Sequence, residues 1–196
     1  MPQKYIEIEK NRLNKNFISK DLFDFNLCDT PSYFVRDHNS IEAIELMKNQ
    51  KFDYILNAGT PRILRQPALM TSGGIINCHP GKLPDYRGCT AVEWSIYNND
   101  TVGATTHFMD TGIDTGPILL YEPLKINQYE KYEDIRTKML FHQANLLVKT
   151  VEYLTKNRIT QISEKKSVGG KYYKPIRDEL LQEVKDKLTT GAYSCQ

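Results

Sequence analysis

The sequence predicts an α/β fold whose parallel-rich sheet is flanked by helices. Three observations carry that expectation. Short apolar runs alternate along the chain with stretches of helical period. The runs around Phe52–Ala58 and Ile75–Asn77 are apolar on both faces, as strands covered by crossover helices must be. Polar, glycine-containing loops follow these runs, at Gly59–Arg65, Asn77–Gly88 and Asp110–Gly116.

The elements follow in order. Residues 1–32 are the least readable; within them Lys4–Glu9 alternates like a short strand. Tyr33–Val35 is a short apolar run. Asn39 or Ser40 then caps a helix carrying Ile41, Ile44, Leu46 and Met47 on one face. Phe52–Ala58 reads as a buried strand ending at Gly59, and a short helical segment spans about Ile63–Met70. Gly73 and Gly74 introduce a second buried strand, Ile75–Asn77. A helix over Ala91–Tyr97 precedes strands over Ala104–Met109 and Ile118–Tyr121. The longest helix, Tyr132–Lys156, carries an apolar stripe of Ile135, Met139, Leu146, Leu147, Val151 and Leu154. A strand at Lys171–Tyr173 and an amphipathic helix over Asp178–Leu188 close the chain. The expected division is an α/β core over residues 1–125, with residues 126–196 as a long helix and C-terminal extension packed on it. That tail serves as a subdomain or as a homodimer contact.

Composition narrows the class of function. The chain has 196 residues, 40% of them hydrophobic and 26% charged, which describes an ordinary globular protein. Lys and Arg number 26 against 24 Asp and Glu, a net charge of +2. So small a charge gives little pull toward nucleic acid or an anionic membrane and leaves small-molecule partners open. No apolar run approaches the roughly 18 residues of a membrane span. Cys28, Cys78, Cys89 and Cys195 show no CxxC spacing, so a reducing cytoplasm is expected. No set of Cys, His and carboxylates has metal-ligand spacing, and no metal is expected.

The middle loop, Asn77-Cys-His79-Pro-Gly-Lys-Leu-Pro84-Asp-Tyr-Arg87-Gly88, sets an amide and an imidazole two residues apart on extended backbone. Side chains so spaced point to one side. The third loop, Asp110-Thr-Gly-Ile-Asp114-Thr-Gly-Pro117, supplies a carboxylate between strands. Acyl transfer to an amine uses such a trio. Asn77 would donate to the oxyanion, His79 would donate there or move a proton, and Asp114 would stabilise the imidazolium or accept the amine proton. Spacing alone equally allows local roles: a turn-stabilising Asn77, a structural His79 and an Asx turn at Asp114. Lys82, Tyr86 and Arg87 stand in the same loops, where cations meet a diphosphate and an aromatic stacks on a base or sugar, or where all three simply serve the surface and the packing.

These two segments, with Trp94 and Thr106-His107-Phe-Met between them, resemble the folate-dependent formyltransferase family from about Tyr33 to Leu124. The resemblance implies a Rossmann-like fold and 10-formyltetrahydrofolate as formyl donor. It places the catalytic roles on Asn77, His79 and Asp114. It implies a folate pocket formed by Arg62, Ile63 and Leu64 on one side and Asp110, Thr111, Gly112 and Ile113 on the other. It also implies a strand–helix–strand unit before Tyr33. Residues 1–32 show no glycine-rich turn, so a shortened start is expected. Within the family, the His79–Gly88 form, Trp94 and Gly170-Lys-Tyr-Tyr-Lys-Pro175-Ile are most similar to enzymes that formylate an amino sugar carried on a nucleotide, whose products feed cell-surface polysaccharide such as lipopolysaccharide. A hydrolase releasing formate from the same folate, and a non-catalytic folate- or nucleotide-binding subunit, are the alternatives.

Overall fold

A computed structural model describes residues 33, 35–60, 63–157 and 169–193. The alternation read from the sequence reappears as β1 (Ile55–Asn57), β2 (Ile75–His79), β3 (Tyr86–Gly88), β4 (Gly103–Phe108), β5 (Ile118–Pro123) and β6 (Lys171–Tyr173). The helices are α1 (Ile41–Asn49), α2 (Gln66–Leu69), α3 (Ala91–Tyr97), α4 (Tyr132–Asn157) and α5 (Asp178–Thr189). Lys4–Glu9 lies outside the described residues.

The main sheet has the order β1-β2-β4-β5, and it is mixed. β1 and β2 run parallel across the α2 crossover, whereas β4 is antiparallel to both β2 and β5. The short loop from Met109 to Pro117 leaves no room for a crossover, so β5 returns as a hairpin partner. A second sheet, which periodicity did not reveal, pairs β3 in parallel with β6 from the far end of the chain. The strand at Lys171–Tyr173 was expected, whereas β3, three residues inside the middle loop, is too short to register as a pattern.

Alternation along β2 divides the sheet into two faces. Ile76 and Cys78 point toward α4, where Ile76 meets Phe108 and Leu154 and Cys78 joins Val92, Ile135, Met139 and Leu146. The stripe expected on α4 lies here, with Ile135, Met139, Leu146 and Leu154 buried. Val184 and Leu188 of α5 enter the same cluster, so the tail packs against α3 and α4. Glu93 on α3 is buried beneath α4. Tyr132 Oη donates to its Oε1 at 2.7 Å, and Arg136 Nη1 lies 3.6 Å away. The opposite face carries Ile75, Asn77 and His79. Ile75 packs there with Leu64 and Ala68, under Ile44 and Met47 of α1. Ser40 caps α1 as expected, its hydroxyl accepting the Ala43 N–H at 3.2 Å.

Thr105 fixes the loop that leaves β2. It pairs with His79 across the ladder, donates to Gly81 O at 2.7 Å and accepts the Leu83 N–H at 3.1 Å. Thr105→Val keeps the shape and orphans a buried N–H. We expect it to destabilise the fold by about 1–3 kcal/mol, read as a lower denaturant midpoint at an unchanged slope. No described helix is long and apolar enough to cross a membrane.

Candidate functional site

Strand register assembles the centre of the site. Asn57 of β1 pairs with Asn77 of β2, and Asn77 pairs with His107 of β4. Directly opposite residues share a face, so three polar side chains form a row across three strands. Asn57 Nδ2 donates to Asn77 Oδ1 at 2.9 Å, and Asn77 Nδ2 lies 3.2 Å from His107 Nε2. His107 Nδ1 lies 2.9 Å from Phe108 O, an atom that can only accept. The ring proton therefore sits on Nδ1, and Nε2 accepts from Asn77. His107 is buried, and it closes this row.

His79, one step further along β2, is buried with Nε2 at 2.6 Å from Tyr86 O. That N–H is committed to the carbonyl. The other nitrogen, Nδ1, faces Asp114 Oδ2 at 3.5 Å. Asp114 comes from the β4–β5 loop, which turns back across this face of the sheet. Its backbone is left-handed at φ 53°, a conformation Asp tolerates better than most residues. Oδ2 also accepts the Gly88 N–H at 2.8 Å, while Oδ1 lies 3.6 Å from His107 Nε2. One carboxylate thus sits between two imidazoles, held by a backbone donor.

Gly88 makes that donor possible. Its φ is +96°, and a Cβ there would come within 2.4 Å of Tyr173 O on β6. The small second sheet therefore presses β3 into position beneath Asp114.

Burial holds the His107 imidazole below its ordinary range, opposed by its bond to the Phe108 carbonyl and by Asp114. The unfolded chain, titrating near 6.5, takes up this proton first as the pH falls. The contribution of His107 to stability is therefore whole above about pH 6.5 and shrinks below it. We expect unfolding free energy to fall between pH 7.5 and 5.5 by more in the wild type than in His107→Gln. Cys78, between Asn77 and His79, faces the other way, and burial pushes its thiol up to about 12. It stays protonated and supplies no nucleophile.

The remaining expected residues divide. Leu64 is buried and lines a cavity of about 260 Å³ with Met47, Ile55, Asn57, Thr60 and Ile75, on the same face as Asn77. Ile63 is 64% exposed, and Arg62 lies outside the described residues. Asp110 turns inward on its own loop, accepting Gly112 N–H and Thr115 Oγ1–H at 3.0 and 2.7 Å. Thr111, Gly112 and Ile113 are exposed along that loop.

Tyr86 requires a correction. Of the two roles open to it, stacking on a ligand or serving the packing, it takes the second: it is 4% exposed, stacks on Tyr173 and donates to Asp100 Oδ2 at 3.1 Å. Burial pushes its phenol up to about 12. Its contribution to the site is the carbonyl that holds His79. Lys82 pairs with Asp85 at 3.4 Å on the surface. Arg87 reaches Gly170 O at 3.4 Å, and its Nε is buried without a partner among the described residues. Among the described residues, no group of three or more His, Cys, Asp or Glu is placed to hold a metal ion.

Comparison with known proteins bears on the family and the fold. The family described as Formyl transferase matches residues 6–151. The chain is 36% identical over 126 residues to a methionyl-tRNA formyltransferase of Clostridium tetani, covering 63% of this chain and 41% of that protein. It is 30% identical over 167 residues to another from Alkaliphilus oremlandii, covering 84% of this chain and 52% of that one. The chain thus spans about half or less of the length of these curated relatives. Among solved structures, a 4-N formyltransferase from Francisella tularensis superposes with a TM-score of 0.56 at 26% identity, over 69% of this chain and 54% of that one. The formyltransferase PseJ from Anoxybacillus kamchatkensis, solved with UDP-4,6-dideoxy-4-formamido-L-AltNAc and tetrahydrofolate, shares the fold. Its TM-score is 0.55 at 24% identity, over 71% of this chain and 74% of that one.

Proposed function

This chain belongs to the formyl transferase family, and from that premise we propose that it moves a formyl group from 10-formyltetrahydrofolate to a primary amine. The observation that carries the reading is the meeting of Asn77, His79, His107 and Asp114 on one face of the sheet. The cavity beside Asn57 and Leu64, together with the Asp110–Ile113 loop, borders that face and suits the folate co-substrate.

The chemistry follows from the groups present. The free-base amine attacks the formyl carbon, and the carbonyl oxygen gains negative charge. Asn77 Nδ2 has a second hydrogen with no protein partner among the described residues, and it donates to that oxygen. The attacking nitrogen loses a proton to Asp114, directly or through a water. Nδ1 of His79 is the adjacent site on which that proton can rest. The bond between the formyl carbon and N10 then breaks, and N10 takes up a proton. The products are a formamide and tetrahydrofolate.

The acceptor we favour is an amine on a nucleotide-linked sugar. It is supported by the Francisella and Anoxybacillus neighbours and by the His79–Gly88 and Gly170–Ile176 segments, which pack as one unit through β3 and β6. The curated relatives favour a second reading, an aminoacyl-tRNA acceptor. One screen separates them. The chain is incubated with 10-formyltetrahydrofolate and either a panel of nucleotide-linked amino sugars or methionyl-tRNA, and each acceptor is checked for a mass gain of one formyl group. Gain on a sugar supports the first reading and gain on the tRNA the second. Formate release without any acceptor assigns a hydrolase. Folate binding without turnover assigns a binding subunit.

A further inference from the structure

We propose that Asn57 is a positioning residue, whose carboxamide fixes the orientation of the Asn77 amide and so aims its free N–H at the reacting carbonyl. The inference rests on the donor role given to Asn77 above. Its basis is a hydrogen-bond row whose two ends are backbone atoms.

At one end, the Thr60 N–H donates to Asn57 Oδ1 at 3.1 Å. A backbone N–H cannot accept, so Oδ1 must face Thr60 and Nδ2 must face β2. Nδ2 then donates to Asn77 Oδ1 at 2.9 Å. That bond in turn puts the Asn77 nitrogen toward β4, 3.2 Å from His107 Nε2. At the far end, Phe108 O takes the Nδ1 proton, leaving Nε2 as an acceptor. Each amide has one allowed orientation, because reversing any member sets two donors or two acceptors face to face. A lone asparagine at position 77 would interconvert two orientations of similar shape, and only one of them presents N–H groups. Asn57, from the edge of the cavity, and His107, from the other side, together remove that ambiguity.

Asn57→Asp tests this with nearly the same shape. The carboxylate still accepts from Thr60 but cannot donate to Asn77. Asn77 then turns to donate to residue 57, and its oxygen faces His107. That oxygen needs a proton on Nε2, so the imidazole becomes doubly protonated. The titratable groups facing His107 are Asp114, His79 and Asp110, to which this variant adds the carboxylate of residue 57.

The measurement combines nitrogen-15 NMR of the histidine rings with consumption of 10-formyltetrahydrofolate, using hydroxylamine as the probe amine. In the wild type, His107 should be a neutral Nδ1–H tautomer that titrates below the ordinary histidine range. In Asn57→Asp it should titrate above that range, and kcat should fall at least tenfold, by more than any change in KM for the folate. Asn57→Ala should also lower kcat at least tenfold without raising His107, and it carries the test if the carboxylate prevents folding. An unmoved His107 in a folded Asn57→Asp variant overturns the inference, as do rates within twofold of wild type in Asn57→Ala. If Asn77→Ala itself keeps wild-type turnover, the underlying reading fails instead.

Discussion

Replacing Asn77 with alanine should lower kcat by about 10²–10³-fold, equivalent to about 3–4 kcal/mol of barrier, while folate binding persists. The size follows from its position. Asn77 lies at the centre of β2, bridged on one side by Asn57 and on the other by His107. Its donor is therefore set in place before the reaction, and charge developing on the carbonyl oxygen meets a dipole that needs no reorganisation. The affinity for tetrahydrofolate is a separate quantity, because the cavity beside β1 is formed by Leu64, Met47 and Ile75, none of which rests on Asn77 alone. Stopped turnover with near-normal folate affinity is the expected outcome of a rapid-quench assay alongside a binding titration. A proportional loss of both would mean that Asn77 supports the fold rather than the reaction.

Asp114→Asn should be nearly as damaging, lowering the chemical step by about 10²–10⁴-fold. This substitution separates charge from geometry. Asparagine tolerates the left-handed backbone at position 114, and its carbonyl oxygen can still accept the Gly88 N–H. What it loses is the negative charge facing His79 and His107 and the capacity to take a proton from the attacking amine. Melting temperature should therefore change little while single-turnover transfer collapses. A variant that transfers at the wild-type rate would remove Asp114 from the chemistry.

The legible parts of this protein were those written in local spacing. The i, i+2 relation put Asn77 and His79 on one face because a strand alternates, and they do share it. Ser40, the apolar stripe of α4 and the amphipathic α5 were read from period and capping, which depend on neighbours a few residues away. The row through Asn57 and His107 was not legible, because it depends on the register of three strands, and a register is a long-range fact. The choice between the two roles of Tyr86 was not legible for a related reason. Its partner Tyr173 arrives from β6, at the other end of the chain, and turns a loop aromatic into a buried one. The same pairing delivers the Tyr86 carbonyl to His79 and the Gly88 N–H to Asp114. One signal could have been used: Asn57 ends an apolar strand, where a carboxamide otherwise has little reason to be.

The most direct test is a crystal structure of the chain with a non-transferable analogue of 10-formyltetrahydrofolate. The analogue's carbonyl oxygen should lie within hydrogen-bond distance of Asn77 Nδ2, with Asp114 on the side from which an amine would approach. A carbonyl seated away from Asn77, with Asp114 turned from it, would contradict the account.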